Sequence, residues 1–239
     1  ILAALERSVR IKTKGNYPAH TRVLEVVEKG LTDGIDAGLE EEARAFSELS
    51  QSDVSRNLVF LFFTERLARQ HASSLSSHTG NQSGTFGIVG GCSMGTSIAH
   101  LAMIHGFKVL FRAANEARQQ QGLTAIMDMV KRSERTRQDS ESHVNLARLI
   151  SVTNDEQLKE CDLILEACAE DIDIKRNILQ KVSRFARPDC VIATNTSSLS
   201  LAEISSFVTN PTRTVGLHFF NPVDKMPLVE VISHHATSR

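Results

Sequence analysis

The sequence predicts an α/β fold, in which a short helical segment precedes a doubly wound, mostly parallel sheet. From residue 85 onward, short apolar and β-branched runs alternate with segments of helical periodicity. This alternation is typical of parallel strands joined by helical crossovers. Residues 73–84 are rich in Ser and Gly and poor in apolar side chains, which predicts a linker between residues 1–72 and residues 85–239.

Composition narrows the classes of partner. The 239 residues suffice for one large or two small domains, and 41% of them are hydrophobic, as in an ordinary globular core. A formal net charge of -1 argues against nucleic acid or an anionic membrane as the main partner. No apolar run reaches the roughly 20 residues that span a bilayer. The four cysteines are too scattered for a zinc pair and suit a reducing compartment.

The sequence of the first 72 residues predicts helices that serve to pack against one another. The helical pattern is interrupted at Asn16-Tyr17-Pro18, and Pro18 can occupy the first turn of the helix that follows. A second helix is predicted from about Glu40, and a third from Ser52 or Asp53. The side chains expected to face inward are Val23, Val26, Val27, Leu31, Ala43, Phe46, Leu49, Val54, Leu58, Leu61 and Phe62. The chain begins without an initiator Met or a signal sequence, so we expect it to start inside a longer protein.

The sheet follows the linker. Strands are predicted at residues 85–89, 108–111, 149–152, 163–166, 191–194 and 214–219, with 228–232 as an edge strand. Helices are predicted between them at residues 94–105, 116–137, 156–160, 172–186 and 201–207. Ligands of such sheets bind beyond the carboxyl ends of the strands. The loops expected to bind them are therefore 90–95, 112–115, 167–172, 195–198 and 218–222.

The first of these loops contains a glycine motif, within the run TFGIVGGCSMG at residues 85–95. Gly90 and Gly95 occupy the first and third positions of G-x-G-x-x-G, while Cys92 stands at the second. The N–H groups at the start of the following helix are suited to a pyrophosphate. A dinucleotide site is therefore predicted at Gly90, Gly91, Cys92, Ser93, Met94 and Gly95.

The second strand lacks the acid that would bind the ribose hydroxyls of the dinucleotide. It is followed by Arg112, Ala113, Ala114 and Asn115, and Glu116 is expected to open the next helix and face away. Arg112 would be suited to the 2′-phosphate of NADP. The alternative is an arginine that only faces solvent.

A third group of polar residues follows the fifth and sixth strands. It comprises Asn195, Ser197, His218 and Asn221, with Glu230 on the edge strand. Histidine titrates near neutral pH, so His218 is the natural general base for an alcohol that loses a hydride. Glu230 would orient the ring and stabilise its cation.

These motifs resemble the NAD-binding domain of the 3-hydroxyacyl-CoA dehydrogenases, a Rossmann domain, over residues 85–233. The resemblance is carried by IVGG at 88–91 with MG at 94–95, DLILEA at 162–167, NTSSL at 195–199, HFFNP at 218–222 and MPLVEVI at 226–232. Farther upstream, TKGNYPA at 13–19 and EARAF at 42–46 are similar to the segment between hydratase and dehydrogenase in the multifunctional fatty-acid oxidation complex alpha subunit.

The resemblance implies roles for individual residues. His218 would take the proton of the 3-hydroxyl, with Glu230 as its partner. Ser197 would hydrogen-bond the substrate oxygen, and Asn221 would lie beside the reacting carbonyl. The cofactor-binding residues implied outside the glycine motif are Ala113, Glu170, Lys175 and Asn195. Glu170 and Lys175 match positions that line the ribose and nicotinamide side, although Lys175 is alternatively a solvated helix residue.

The resemblance implies NAD-dependent oxidation of 3-hydroxyacyl-CoA to 3-oxoacyl-CoA in fatty-acid β-oxidation, by a protein that is also an enoyl-CoA hydratase. The expected partners are acyl-CoA and a thiolase subunit. The expected location is the cytoplasm, with an organelle as the alternative. A hydratase domain before residue 1 and a helical domain after residue 239 are expected, and little turnover is expected without them.

Two residues depart from the family pattern. Cys92 replaces a glycine, and Ala113 stands where the family has an aspartate. A lost charged hydrogen bond costs about 1.5 to 3 kcal/mol, so the two changes together would weaken NAD binding by roughly two orders of magnitude. The alternatives are therefore a degenerate Rossmann module that acts in assembly, or an NADP-preferring variant that uses Arg112.

Overall fold

The computed structural model describes residues 2–75, 84–136 and 146–238. The chain divides into two compact units, Ile1–Gly80 and Asn81–Arg239. The described part of the first unit is helical, and the second has the predicted α/β architecture. None of the helices in these ranges is long and apolar enough to cross a membrane.

Four helices make up the first unit: α1 (Leu2–Thr13), α2 (Pro18–Asp33), α3 (Ile35–Ser50) and α4 (Asp53–Leu75). The predicted starts at Pro18 and Asp53 are confirmed, whereas α3 begins at Ile35 rather than near Glu40. Helix α4 includes the first residues of the predicted linker. Residues 76–83 of that linker lie outside the described part of the chain.

Glycines bring α2 and α3 together. A Cβ atom on Gly38 would lie 2.8 Å from the Cα of Gly30, so this contact excludes any larger residue at position 38. Gly34 joins the two helices with φ of +99°, in the region that favours glycine. The close contact with α2 accounts for the burial in α3, whose buried residues are Gly38, Glu41 and Ala45.

Most of the apolar side chains predicted to face inward in this unit are exposed instead. Phe46 of α3 is 73% exposed, and Leu58 and Phe62 of α4 are 43% and 61% exposed. Helix α4 contains the run Val59 to Phe63, which covers every side of the helix. Such a run has no polar face, so periodicity cannot identify an inward side.

The second unit contains one seven-stranded sheet with strand order β3-β2-β1-β4-β5-β6-β7. The strands are β1 (Thr85–Val89), β2 (Lys108–Arg112), β3 (Leu149–Ser151), β4 (Leu163–Glu166), β5 (Val191–Thr194), β6 (Thr214–Phe219) and β7 (Val229–Ile232). All neighbouring pairs are parallel except β6 and β7. Every predicted strand is present within one residue at each end, which confirms the predicted fold class.

Helices cover both faces of the sheet: α5 (Ser93–Ile104), α6 (Glu116–Thr136), α7 (Ile172–Phe185) and α8 (Leu201–Ser205). The helix predicted at 156–160 is a 3₁₀ helix, Asp155–Glu160, and α8 ends two residues before its predicted end. Ile88 and Phe111 pack on one face and Leu158 and Ile164 on the other. Strand order reverses between β1 and β4, so a ligand crevice is expected beyond the carboxyl ends of these two strands.

Candidate functional site

Gly90 and Gly95 are required by the packing of the predicted phosphate turn. Gly90 has φ of +146°, and a Cβ atom there would lie 2.2 Å from the carbonyl oxygen of Ala167. A Cβ atom on Gly95 would lie 2.1 Å from the carbonyl oxygen of Gly90. The chain after β1 thus contacts the chain after β4 directly, and α5 begins close to both strands.

Cys92 does not strain this turn. It has φ of -83° and ψ of 175°, which any residue adopts, and it is the N-cap of α5. Its thiol donates to the carbonyl oxygen of Ala167 over 3.0 Å. Ser93 is the first residue of α5, and the N–H groups of a first helical turn have no partner within their helix. Met94 differs from Ser93 because its side chain packs against the core.

Two adjoining cavities lie beside the turn. One has a volume of about 300 Å³ and is lined by Gly90, Gly91, Cys92, Ala114, Arg118, Cys168, Ala169, Ile174 and Ile178. The other, of about 350 Å³, is lined by Val89, Arg112, Ala113, Ala114, Asp155, Cys168, Ile174, Asn177, Ile178, Lys181 and Val182. Burial raises the pKa of the Cys168 thiol to about 12, so this thiol is neutral beside the turn at neutral pH.

The carboxyl end of β2 carries a paired arginine. Arg112 Nε lies 3.2 Å from Asp155 Oδ1, and both side chains are 23% exposed. The interpretation of Arg112 as solvent-facing is therefore wrong. Ala113 is 2% exposed, and its N–H donates to Gln119 Oε1 over 2.6 Å.

These features fit a dinucleotide. Gly90 and Gly91 line one cavity, the first turn of α5 offers N–H groups, and Ile174 and Ile178 give the cavities apolar walls. Cationic side chains also line them, Arg118 in one cavity and Lys181 in the other. The thiol of Cys92 narrows the place predicted for the pyrophosphate but leaves the backbone geometry of the motif intact.

His218 and Glu230 pair across the antiparallel strands β6 and β7. The two residues are register partners, and His218 Nδ1 lies 2.8 Å from Glu230 Oε2. A carboxylate only accepts hydrogen bonds, so Nδ1 carries the hydrogen and Nε2 is left to accept a proton. The ring also contacts Phe220, with 4.6 Å between centroids. The predicted partnership of His218 and Glu230 is thus present in the geometry.

The predicted amides lie at the same edge of the sheet. Asn195 follows β5, and its Oδ1 accepts the N–H of Phe219 over 2.9 Å. This bond ties the end of β5 to the residue that follows His218. Asn221 is exposed in the turn after β6, where its peptide bond with Pro222 is cis.

Glu170 organises the turn that carries Ser197. Its Oε1 accepts the N–H groups of Ser197 and Ser198 over 3.0 and 3.2 Å and the Ser198 hydroxyl over 3.1 Å. The Thr196 hydroxyl also donates to this oxygen. Burial acts to raise the pKa of Glu170, but the Thr196 hydrogen bond and the charge of Lys175 outweigh it and lower the pKa to about 2. Glu170 is therefore ionised at neutral pH.

Lys175 is buried, so its interpretation as a solvated helix residue is wrong. Its Nζ lies 2.9 Å from each carboxylate oxygen of Glu166 and 3.4 Å from Glu170 Oε2. Both Lys175 and Glu166 are 1% exposed. Glu166 also accepts the hydroxyl of Thr194 over 2.7 Å. Sequence reasoning missed Glu166 and Thr194, although an acid that ends the apolar strand LILE was a usable signal.

Among residues 2–75, 84–136 and 146–238, no three His, Cys, Asp or Glu side chains are placed to hold a metal ion. Cys161 and Cys190 are buried, and burial raises the pKa of each thiol, to about 12 and about 11. These thiols are therefore protonated core side chains at neutral pH.

Known proteins share this domain. A family model of the 3-hydroxyacyl-CoA dehydrogenase NAD binding domain matches residues 85–239. The chain is similar to 3-hydroxybutyryl-CoA dehydrogenase from Escherichia coli, with 34% identity, a TM-score of 0.61, and coverage of 65% of this chain and 34% of that one. It is similar to FadB2 from M. tuberculosis, with 32% identity, a TM-score of 0.61, and coverage of 64% and 55%.

A third similar structure is the dehydrogenase part of multifunctional enzyme 1 from C. elegans, with 33% identity and a TM-score of 0.57. The match covers 67% of this chain and 38% of that one. The chain thus spans between about a third and just over half of the length of these three proteins. The chain belongs to the 3-hydroxyacyl-CoA dehydrogenase family, and residues 85–239 are its NAD-binding domain.

Proposed function

We propose that this chain binds NAD and supplies the catalytic base of an enzyme that oxidises 3-hydroxyacyl-CoA to 3-oxoacyl-CoA. The observation that carries the proposal is the His218–Glu230 pair, 2.8 Å apart. It lies at the carboxyl end of β6, and β6 is parallel to the strand that leads into the glycine turn. The similar proteins from E. coli and C. elegans, a 3-hydroxybutyryl-CoA dehydrogenase and the dehydrogenase part of a multifunctional enzyme, support the same activity.

The residues of this chain divide the work of proton transfer. His218 accepts the proton of the 3-hydroxyl at Nε2, because Nδ1 donates to Glu230. The Glu230 carboxylate keeps the ring in this tautomer and stabilises the cation that forms. The Ser197 hydroxyl hydrogen-bonds the substrate oxygen, and Asn221 lies beside the reacting carbonyl. NAD, when bound, supplies the acceptor for the hydride that leaves carbon 3.

The cofactor would be held by the turn after β1 and by the two cavities beside it. Gly90, Gly91 and the first turn of α5 would bind the pyrophosphate. The apolar walls at Ile174 and Ile178 suit a flat base. Asn195 would support this site indirectly, because its Oδ1 fixes the end of β6.

We propose in addition that the protein acts in fatty-acid β-oxidation and also hydrates enoyl-CoA. The support is the similarity of residues 13–19 and 42–46 to the joining segment of the fatty-acid oxidation complex alpha subunit. A thiolase subunit is the expected protein partner, and the cytoplasm stays the predicted location. The hydratase activity would be tested with the protein purified from its source. Hydration of a 2-enoyl-CoA would be measured as the loss of absorbance of the conjugated enoyl thioester.

An NADH titration tests the dehydrogenase proposal. The fluorescence of NADH is expected to change saturably with the 239-residue chain, and His218→Gln is expected to bind equally well. Absence of saturation at about millimolar NADH, a free energy near -4 kcal/mol, would refute cofactor binding by this chain. In that case the second candidate, a degenerate module that acts in assembly, would be favoured by Cys92 and Ala113.

A further inference from the structure

Glu166 is the centre of a buried charge network. Its Oε1 accepts the N–H of Cys168 over 2.6 Å, and its Oε2 accepts the hydroxyl of Thr194 over 2.7 Å. Both oxygens also accept from the Lys175 ammonium, each over 2.9 Å. A buried ion pair is tolerated when further hydrogen bonds satisfy its members, and Glu166 meets this condition.

The Lys175 ammonium links two carboxylates with different tasks. It lies 2.9 Å from Glu166 and 3.4 Å from Glu170 Oε2, so it is held more closely on the buried side. The other oxygen of Glu170 receives the four donors of the turn at Thr196, Ser197 and Ser198. The contacts therefore run from Glu166 through Lys175 and Glu170 to the four donors of the turn.

We propose that Glu166 is a positioning residue, which holds the Lys175 ammonium back from Glu170 and thereby fixes the turn that carries Ser197. Without the charge of Glu166, the ammonium has Glu170 as its nearest anion among the carboxylates described at this site. The ammonium then moves toward Glu170 and draws its carboxylate away from the turn. The proposal rests on the proposed function, because Ser197 is there the residue that binds the substrate oxygen.

Glu166→Gln isolates this effect. A glutamine oxygen still accepts from Cys168, and its NH₂ group would donate to the Thr194 hydroxyl oxygen, so what is lost is the charge facing Lys175 and one acceptor of its ammonium. The readout is amide hydrogen exchange of the 239-residue chain, measured by NMR in the absence of cofactor. Exchange at Ser197 and Ser198 is expected to become about tenfold faster, since hydrogen bonds to a charged group are weakened. Exchange at Phe219 is expected to stay unchanged, because its N–H donates to Asn195.

A second substitution distinguishes positioning from general loosening of the fold. In the double variant Glu166→Gln/Lys175→Met, Glu170 faces no ammonium, so exchange at Ser197 and Ser198 is expected to return toward the wild-type rate. If Glu166 had a merely structural role, exchange at Ser197 and Ser198 would be at least as fast in the double variant as in the single one. Asp155→Asn is the matched control, because it also removes a carboxylate from an ion pair in this domain.

Three results would overturn the proposal: unchanged exchange at Ser197 and Ser198, an equal increase at Phe219, or no reversal by Lys175→Met. Should Glu166→Gln fail to fold, Glu166→Asp places the carboxylate one methylene farther from Lys175, so that its hold on the ammonium weakens. It is expected to raise exchange at Ser197 and Ser198 and to leave Phe219 unaffected, and unchanged exchange would again overturn the proposal. Failure of wild-type NADH binding would refute the proposed function but leave these exchange measurements intact.

Discussion

His218 and Glu230 are opposite one another in the β6–β7 register, and 2.8 Å separates Nδ1 of the ring from Oε2 of the carboxylate. Antiparallel register places the pair, because directly opposed residues point to the same face of a sheet. Glu230 is 48% exposed and His218 is 20% exposed. A hydrogen-bonded pair with that exposure contributes little to stability, so its value to the protein lies in fixing the tautomer of His218.

The first prediction concerns the two members of this pair. His218→Gln is expected to lower the kcat with which the full-length protein oxidises 3-hydroxyacyl-CoA by about 10²- to 10⁴-fold, because the general base is lost. Glu230→Gln is expected to lower kcat less, since the base remains but its tautomer is no longer enforced. NADH formation measures kcat, and thermal unfolding is expected to be nearly unchanged in both variants.

Glu203→Gln is the control for this pair, because Glu203 is an exposed carboxylate on α8. Its kcat is expected to equal that of the wild type. Turnover by His218→Gln at the wild-type rate, or an equal loss in Glu203→Gln, would contradict the role of His218.

Cys92 gives the second prediction. Cys92→Gly is expected to bind NADH about tenfold more tightly, a gain of about 1.4 kcal/mol, because a Cβ and a sulfur no longer face the pyrophosphate. Cys92→Ala keeps the Cβ and is expected to gain less. Both variants lose the thiol hydrogen bond to Ala167, so their melting temperatures are expected to fall slightly below that of the wild type. Equal NADH affinity of wild type and Cys92→Gly would remove the main reason to regard the module as degenerate.

The sheet and its glycine turn were predictable from sequence because their signals are local. Apolar runs mark the strands, and Gly90 and Gly95 mark the close contact that follows β1. The sequence signals Glu166 as an acid that ends an apolar strand, but it does not indicate its bond to Thr194, which lies on another strand and 28 positions away. Likewise, nothing near Arg112 in sequence indicates its partner Asp155, which lies 43 positions away.

Ala113 gives the third prediction, because its 2% exposure makes it a poor place for an acid. Ala113→Asp is expected to destabilise the fold by at least about 1 to 3 kcal/mol, the cost of burying a polar group without a full set of partners. Ala114→Asp is the matched variant, since Ala114 is exposed and lines both cavities. Urea unfolding would compare them, and equal stability of the two variants would contradict the argument.

Arg112 gives the fourth prediction. Its guanidinium is paired with Asp155, so the wild type is expected to bind NADH more tightly than NADPH. Asp155→Asn releases the guanidinium and is expected to shift the ratio of the two dissociation constants toward NADPH by about tenfold, a change of about 1.4 kcal/mol. The neighbouring change Glu156→Gln is the control and is expected to leave the ratio unaltered. Tighter binding of NADPH by the wild type would instead support the NADP-preferring variant.

The fifth prediction concerns acid stability and Glu170. The pKa of Glu170 is lowered from an ordinary value of 4.5 to about 2 in the folded chain. A carboxyl with a lowered pKa stabilises the fold above its unfolded pKa, and this contribution is lost as pH falls toward the folded pKa. Glu170→Gln is therefore expected to be less stable than the wild type at neutral pH. The difference in free energy of unfolding is expected to shrink as pH falls from 4.5 toward 2.

Urea unfolding at several pH values would measure that difference. Ser206→Ala is the control, because the Ser206 hydroxyl bonds the backbone carbonyl of Glu203 and no ionisable group takes part. Its stability difference from the wild type is expected to be independent of pH. A Glu170→Gln difference that stays constant down to pH 2 would mean that the donors at Thr196, Ser197 and Ser198 do not prefer the ionised carboxylate. In that case Glu170 would not transmit the charge of Lys175 to the turn that carries Ser197.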